Sequence, residues 1–154
     1  YTDRPELGEM VPLLAQQLEA AGFTVTQDVR EYNQIESEAL AGAFDAVLLS
    51  RSTVLDSGDP VAYMVSDFSS TGSFALSFLS DPTVDAAIAK ASGIEPGEER
   101  RKAIVEAEQA ILVTDAAIPV AHERVLQGEA SGVSGAERDP NERDLITSAT
   151  TVKK

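Results

Sequence analysis

The sequence predicts an α/β fold in which helices cover both faces of an open mixed sheet. Three observations carry that expectation. Apolar residues recur at helical spacing through Leu7, Met10, Val11, Leu14, Leu18 and Ala21. Strand-like segments at 23–29 and 44–49 then alternate with helical ones, giving helix, strand, helix, strand in short units. The run Phe44-Asp45-Ala46-Val47-Leu48-Leu49 is nearly continuously apolar, as a strand buried on both faces requires. A length of 154 residues with 43% apolar content suits one domain around one core.

Each element has its own signal. Asp3 and Glu6 stand at capping-box spacing, Pro5 fits the first turn of a helix, and Gly22 fits a left-handed stop. Residues 23–29 alternate, with Phe23, Val25, Gln27 and Val29 on one face and Thr24, Thr26 and Asp28 on the other, which reads as a strand. A weaker helix is expected over about Tyr32 to Leu40, ending at Gly42. From Ser50 to Ser80 the chain is rich in Ser, Thr, Gly and Asp, and reads as a long functional loop holding one short helix near Val61 to Val65.

Regularity returns at Asp81-Pro82, a cap followed by the first helical position, with Val84, Ala87, Ile88 and Ala91 as the buried stripe. Glu98 and Glu99 open another helix with the favourable sign for its dipole, and it runs through Ile104, Ala107 and Ile111 to about Thr114. Ala117 to Ala121 reads as a short strand, placed at an edge or bulge by Pro119. Gly128 to Arg143 reads as loop, and Asp144 to Val152 as a last strand. No internal repeat or low-complexity tract is present.

Composition narrows the function. Twelve Lys and Arg oppose 26 Asp and Glu, for a formal net charge of −14, which disfavours nucleic acid and anionic membrane surfaces as partners. The one basic cluster, Arg100-Arg101-Lys102, lies among glutamates and reads as a solvated helix face. Without cysteine there are no disulfides, zinc thiolates or thiol nucleophiles. His122 is the single histidine, and neither a nucleophile elbow nor a glycine-rich phosphate loop accompanies it. The chain therefore reads as a non-enzyme, with no cofactor and no metal site.

One stretch is different. Ser50 to Asp59 leaves the carboxyl end of the expected buried strand, the edge at which open α/β sheets bind ligands. It offers Ser50, Arg51, Ser52, Thr53 and Asp56, and a shielded carboxylate there could accept charge-assisted hydrogen bonds from a ligand ammonium. Turn hydrogen bonding explains Asp56 and Asp59 equally simply, and from the residues alone it is the favoured reading.

Ordered landmarks add a resemblance. Tyr1-Thr-Asp-Arg-Pro-Glu-Leu with Ala-Ala-Gly22-Phe23-Thr-Val25, Gly42-Ala-Phe44-Asp45-Ala46, Asp56-x-x-Asp59-Pro60 and Ser80-Asp81-Pro82-Thr83-Val84-Asp85 follow one another. Glu98-Glu-Arg100-Arg101 through Ala117-Ile118-Pro119-Val120, then Val133-Ser-Gly135, complete the series. In order and spacing this resembles the C-terminal part of the second lobe of family 5 extracellular solute-binding proteins, the peptide, dipeptide and nickel receptors of ABC importers. The resemblance implies a type II periplasmic-binding-protein-like lobe, covering 1–154 and belonging to a longer bilobed protein. It also implies an extracytoplasmic, lipid-anchored location with the anchor outside this chain, a small peptide-type solute, and an ABC permease as partner.

By position, Asp56 corresponds to the aspartate that pairs with a peptide's α-ammonium in such receptors. Thr53 stands where some members carry an aromatic, and Ala75-Leu76 where many carry Asn-Tyr, so the pocket is expected to differ. Tyr1-Thr2-Asp3-Arg4 does not read as a natural start, in keeping with a piece of a longer chain. Two other classes stay open: a flavodoxin-like nucleotide-binding or enzyme domain, and an interaction module without a small ligand.

Overall fold

A computed structural model of the chain describes residues 1–51, 58–122, 127–137 and 146–153. Helix α1 spans Pro5–Ala20, with Pro5 in its first turn and Leu7 and Ala15 buried. Its N-cap is Arg4, one residue later than the expected capping box requires, and no side chain caps it. Asp3 instead reaches across to the next helix, where its Oδ2 accepts the Tyr32 amide at 3.2 Å. Helix α2, Tyr32–Leu40, closes in the same way as α1. Gly22 (φ +96°) and Gly42 (φ +77°) take the left-handed position. Phe23 then donates to Leu18 O, and Ala43 to Glu38 O, completing two Schellman closures.

Two Asp-Pro steps start the next helices. Asp59 accepts from Val61 N at 3.0 Å and opens α3, Pro60–Phe68. Asp81 accepts from Thr83 N at 2.7 Å and Val84 N at 3.3 Å, opening α4, Pro82–Ser92. Helix α5 follows at Glu98–Leu112. These three helices hold the core. Val84 and Ile88 of α4 meet Ala107 and Ile111 of α5, with Met64, Phe68 and Leu79 packed around them. A second cluster joins Val61, Ala91 and Ala103, flanked by Ile94 and Ile104. Alanine at 91, 103 and 107 leaves almost no side chain to separate the two helices, which is why α4 and α5 approach closely.

Arg100 ties these helices together. Its Nη1 donates to Ala91 O and Ile94 O, each at 2.6 Å, satisfying carbonyls at and beyond the end of α4. Its Nη2 pairs with Asp59, the cap of α3. Only 14% of its side chain is exposed. The expectation of a solvated basic face therefore holds for Arg101 and Lys102, which are exposed, and fails for Arg100. Elsewhere Asp85 of α4 receives both the amide and the hydroxyl of Ser70, fixing the turn after α3.

The expected sheet is not formed. Among the described residues the strands are β1, Val133–Ser134, and β2, Thr151–Val152, paired antiparallel with Val133 opposite Val152 and Ser134 opposite Thr151. This overturns the open mixed sheet with helices on both faces, and with it the α/β lobe architecture. The segments 23–29, 44–49 and 117–121 form no ladder, and the expected last strand shrinks to β2, with 138–145 outside the described residues. The physical reason lies in the helices. A central strand needs apolar helix faces above and below it, but the stripes of α3, α4 and α5 bury one another. Phe23, Val29, Ile118 and Val120 accordingly stay exposed.

Two outcomes follow for stability. Ile88→Ala should cost about 2–5 kcal/mol through lost burial and a residual cavity, read from urea unfolding at neutral pH. The Asp59 carboxyl is held below its ordinary range chiefly by the Val61 amide, with Arg100 lowering it further and burial opposing them. Asp85 is lowered by the Ser70 hydroxyl and amide. Folded values below the unfolded ones mean stability present above about pH 4 and lost as pH falls through the folded values. Urea midpoints should therefore drop from pH 5 to pH 3, and Asp59→Asn should lower the neutral midpoint while flattening that slope.

Candidate functional site

A cleft of about 300 Å³ opens where four separate parts of the chain meet. Tyr1, Asp3 and Arg4 come from the approach to α1, Tyr32 from the start of α2, and Leu49, Ser50, Arg51 and Phe74 from the chain on either side of α3. The Tyr1 and Tyr32 rings meet edge to face with centroids 5.2 Å apart. The Tyr1 hydroxyl donates to Ser50 O at 3.1 Å and accepts from Ser50 N at 3.4 Å, tying the two ends of the cleft together. Burial, with Glu36 nearby, pushes the Tyr32 phenol above its usual value, so it stays a neutral donor at physiological pH.

Arg51 is the most constrained residue of the cleft. Its Nε donates to Asp67 Oδ2 at 3.0 Å and its Nη2 to Asp67 Oδ1 at 2.9 Å, a bidentate fork. The guanidinium carbon lies 4.5 Å from the Phe74 ring centroid and 5.0 Å from that of Tyr63. Asp67 is buried, with 10% of its side chain exposed, whereas Arg51 retains 33%. The pair thus faces inward at the carboxylate and outward at the guanidinium. Position follows from sequence: Tyr63 and Asp67 are four apart on α3 and share a face.

Of the residues singled out in the sequence, Ser50 and Arg51 line the cleft. Ser52, Thr53 and Asp56 lie outside the described residues. Asp59, the other acid of that stretch, serves as a helix cap and an ion-pair partner. His122 is exposed and does not line the cleft. Sequence reasoning passed over Tyr1, Arg4, Tyr32, Asp67 and Phe74. One signal was available for Asp67: it is the sole charge in Pro60–Phe68, and a lone acid in an apolar helix calls for a cation.

Among the described residues, no group of three or more His, Cys, Asp or Glu could hold a metal ion. No helix among them is long and apolar enough to cross a membrane. No protein-family model, curated protein or solved structure gives a significant match to the chain.

The Arg51–Asp67 pair can be weighed directly. Asp67→Ala should destabilise by about 1–3 kcal/mol, since it strips a largely buried acceptor from a half-shielded guanidinium. Asp67→Asn should recover part of that loss by keeping one hydrogen bond. Equal urea midpoints for wild type and Asp67→Ala would show that the fork contributes nothing.

Proposed function

We propose that the chain binds a small solute at this cleft, as the ligand-holding part of an extracytoplasmic receptor that serves an ABC permease. The observation that carries the reading is the placement of Arg51. Arg51 is the second residue of the stretch singled out as the ligand edge, Ser50 to Asp59, and it lines a concave surface with aromatic and polar groups converging on it. Small-molecule sites combine apolar and aromatic walls with a few fixed polar groups in this way. The ordered landmarks along the chain support the importer-receptor class. In this reading membrane association comes through a segment outside residues 1–154.

Asp56 retains its proposed role as acceptor of a ligand ammonium. It stands five residues beyond Arg51, so an extended chain places it at most about 18 Å from that residue. Thr53 and Ser52 lie between the two and supply hydroxyls for the same ligand. The reading calls for no bond-making chemistry: solute is held and passed on.

Titration calorimetry with alanyl-phenylalanine and its N-acetyl derivative tests the assignment. Loss of the ammonium should weaken binding at least tenfold, because a charge-assisted contact is worth about 1.5–3 kcal/mol. Asp56→Asn should reproduce that loss for the free dipeptide and leave the acetylated one unchanged. Equal affinity of Asp56→Asn and wild type for the free dipeptide would remove Asp56 from the site.

A further inference from the structure

The cleft holds two guanidinium groups with donors to spare, and from these we infer that it recognises a carboxylate attached to an apolar, aromatic body. The inference rests on the cleft being a solute site and names the chemistry of what enters it. Arg4 lines the cleft, and its side chain makes no hydrogen bond or ion pair among the described residues. Arg51 commits Nε and Nη2 to Asp67, which leaves Nη1 without a partner among them. One N–H of that nitrogen and the second N–H of Nη2 form the outer edge of the guanidinium, and two parallel donors on one edge suit a carboxylate.

The charges around the cleft are balanced, so the direction of the free donors rather than net charge carries the recognition. Asp3 is the acid among the lining residues, and its Oδ2 is engaged by the Tyr32 amide. The lining holds Arg4 and Arg51 against Asp3, and Asp67 behind Arg51 balances the second cation, in a chain of net charge −14. Asp67 lies behind Arg51 and fixes the orientation of its guanidinium without filling its free edge. The walls select the remainder of the ligand. Phe74, with the Tyr1 and Tyr32 rings, offers aromatic surface beside the cationic groups, and the Tyr32 phenol is held protonated.

The matched probes 3-phenylpropionate and 3-phenylpropionamide differ in charge and share a shape. Titrated into the whole chain and followed by NMR, the acid should shift the Arg51 Nε–H and the Tyr32 ring signals. It should bind at least about tenfold more tightly than the amide. Arg4→Gln removes a side chain that makes no hydrogen bond or ion pair among the described residues, so folding should survive it. The variant should weaken the acid about fivefold and leave the amide unchanged. Arg51→Gln should abolish the preference, and the double variant Arg51→Gln/Asp67→Asn provides the same readout if the single one unfolds.

Equal binding of acid and amide at the cleft would overturn the inference and leave the solute-binding reading standing. So would acid binding that Arg4→Gln does not alter. If neither probe nor alanyl-phenylalanine shifts a cleft residue, the solute-binding reading falls, and this inference with it.

Discussion

The helical core depends on one cation. Arg100 projects from the first turn of α5 into the space where α4 ends and α3 begins. The end of a helix leaves carbonyls without partners, and here a guanidinium supplies what a cap would otherwise supply. The remaining arm of the fork holds Asp59, whose other oxygen caps α3. Lysine could not serve in the same way, since a single ammonium offers no planar fork to span three groups on two elements. With the Arg100 side chain largely buried, its three directions of bonding also satisfy its own desolvation.

From that junction the order of the chain reaches the cleft. Fixing the start of α3 fixes the face of α3 that carries Tyr63 and Asp67. Those two side chains in turn seat Arg51, one through its ring and one through its carboxylate. The far side of the cleft is held independently. The contact of Asp3 with Tyr32 and that of Tyr1 with Ser50 link the α1 entry, the α2 start and the chain before Arg51. The cleft is thus bounded by one wall anchored in the core and another built from local side-chain ties around α1 and α2.

How much of this could be read from the residues differs by element. The helices were legible because their boundaries are local chemistry: Pro in the first turn, Asp before Pro, Gly at a left-handed stop. The sheet was not, because pairing is non-local. Residues 23–29 alternate and 44–49 are apolar whether or not another strand lies beside them, and burial of α4 against α5 removed the surface a sheet would have needed. Arg100 was misread for the same reason. Within Arg100-Arg101-Lys102 nothing local distinguishes the residue turned toward α3 from its two exposed neighbours. In the cleft Arg51 was legible as a charge at the start of a polar stretch. Tyr1, Arg4, Tyr32 and Phe74 converge from 74 residues of chain and share no motif.

The arrangement around Arg51 also explains how a partly exposed side chain can act as a fixed recognition element. An arginine free in solvent must give up rotamer freedom when it grips a ligand, a cost of about 0.5–1.5 kcal/mol for a flexible side chain. Here much of that freedom is already gone. Asp67 holds one edge of the guanidinium, while Tyr63 and Phe74 lie within cation–π distance of it. A partner arriving at Nη1 therefore meets a donor whose direction is set before contact. The buried carboxylate is the residue that makes this possible. Its negative charge offsets part of the cation, yet its geometry keeps the rest aimed, and for a planar oxyanion direction counts as much as charge.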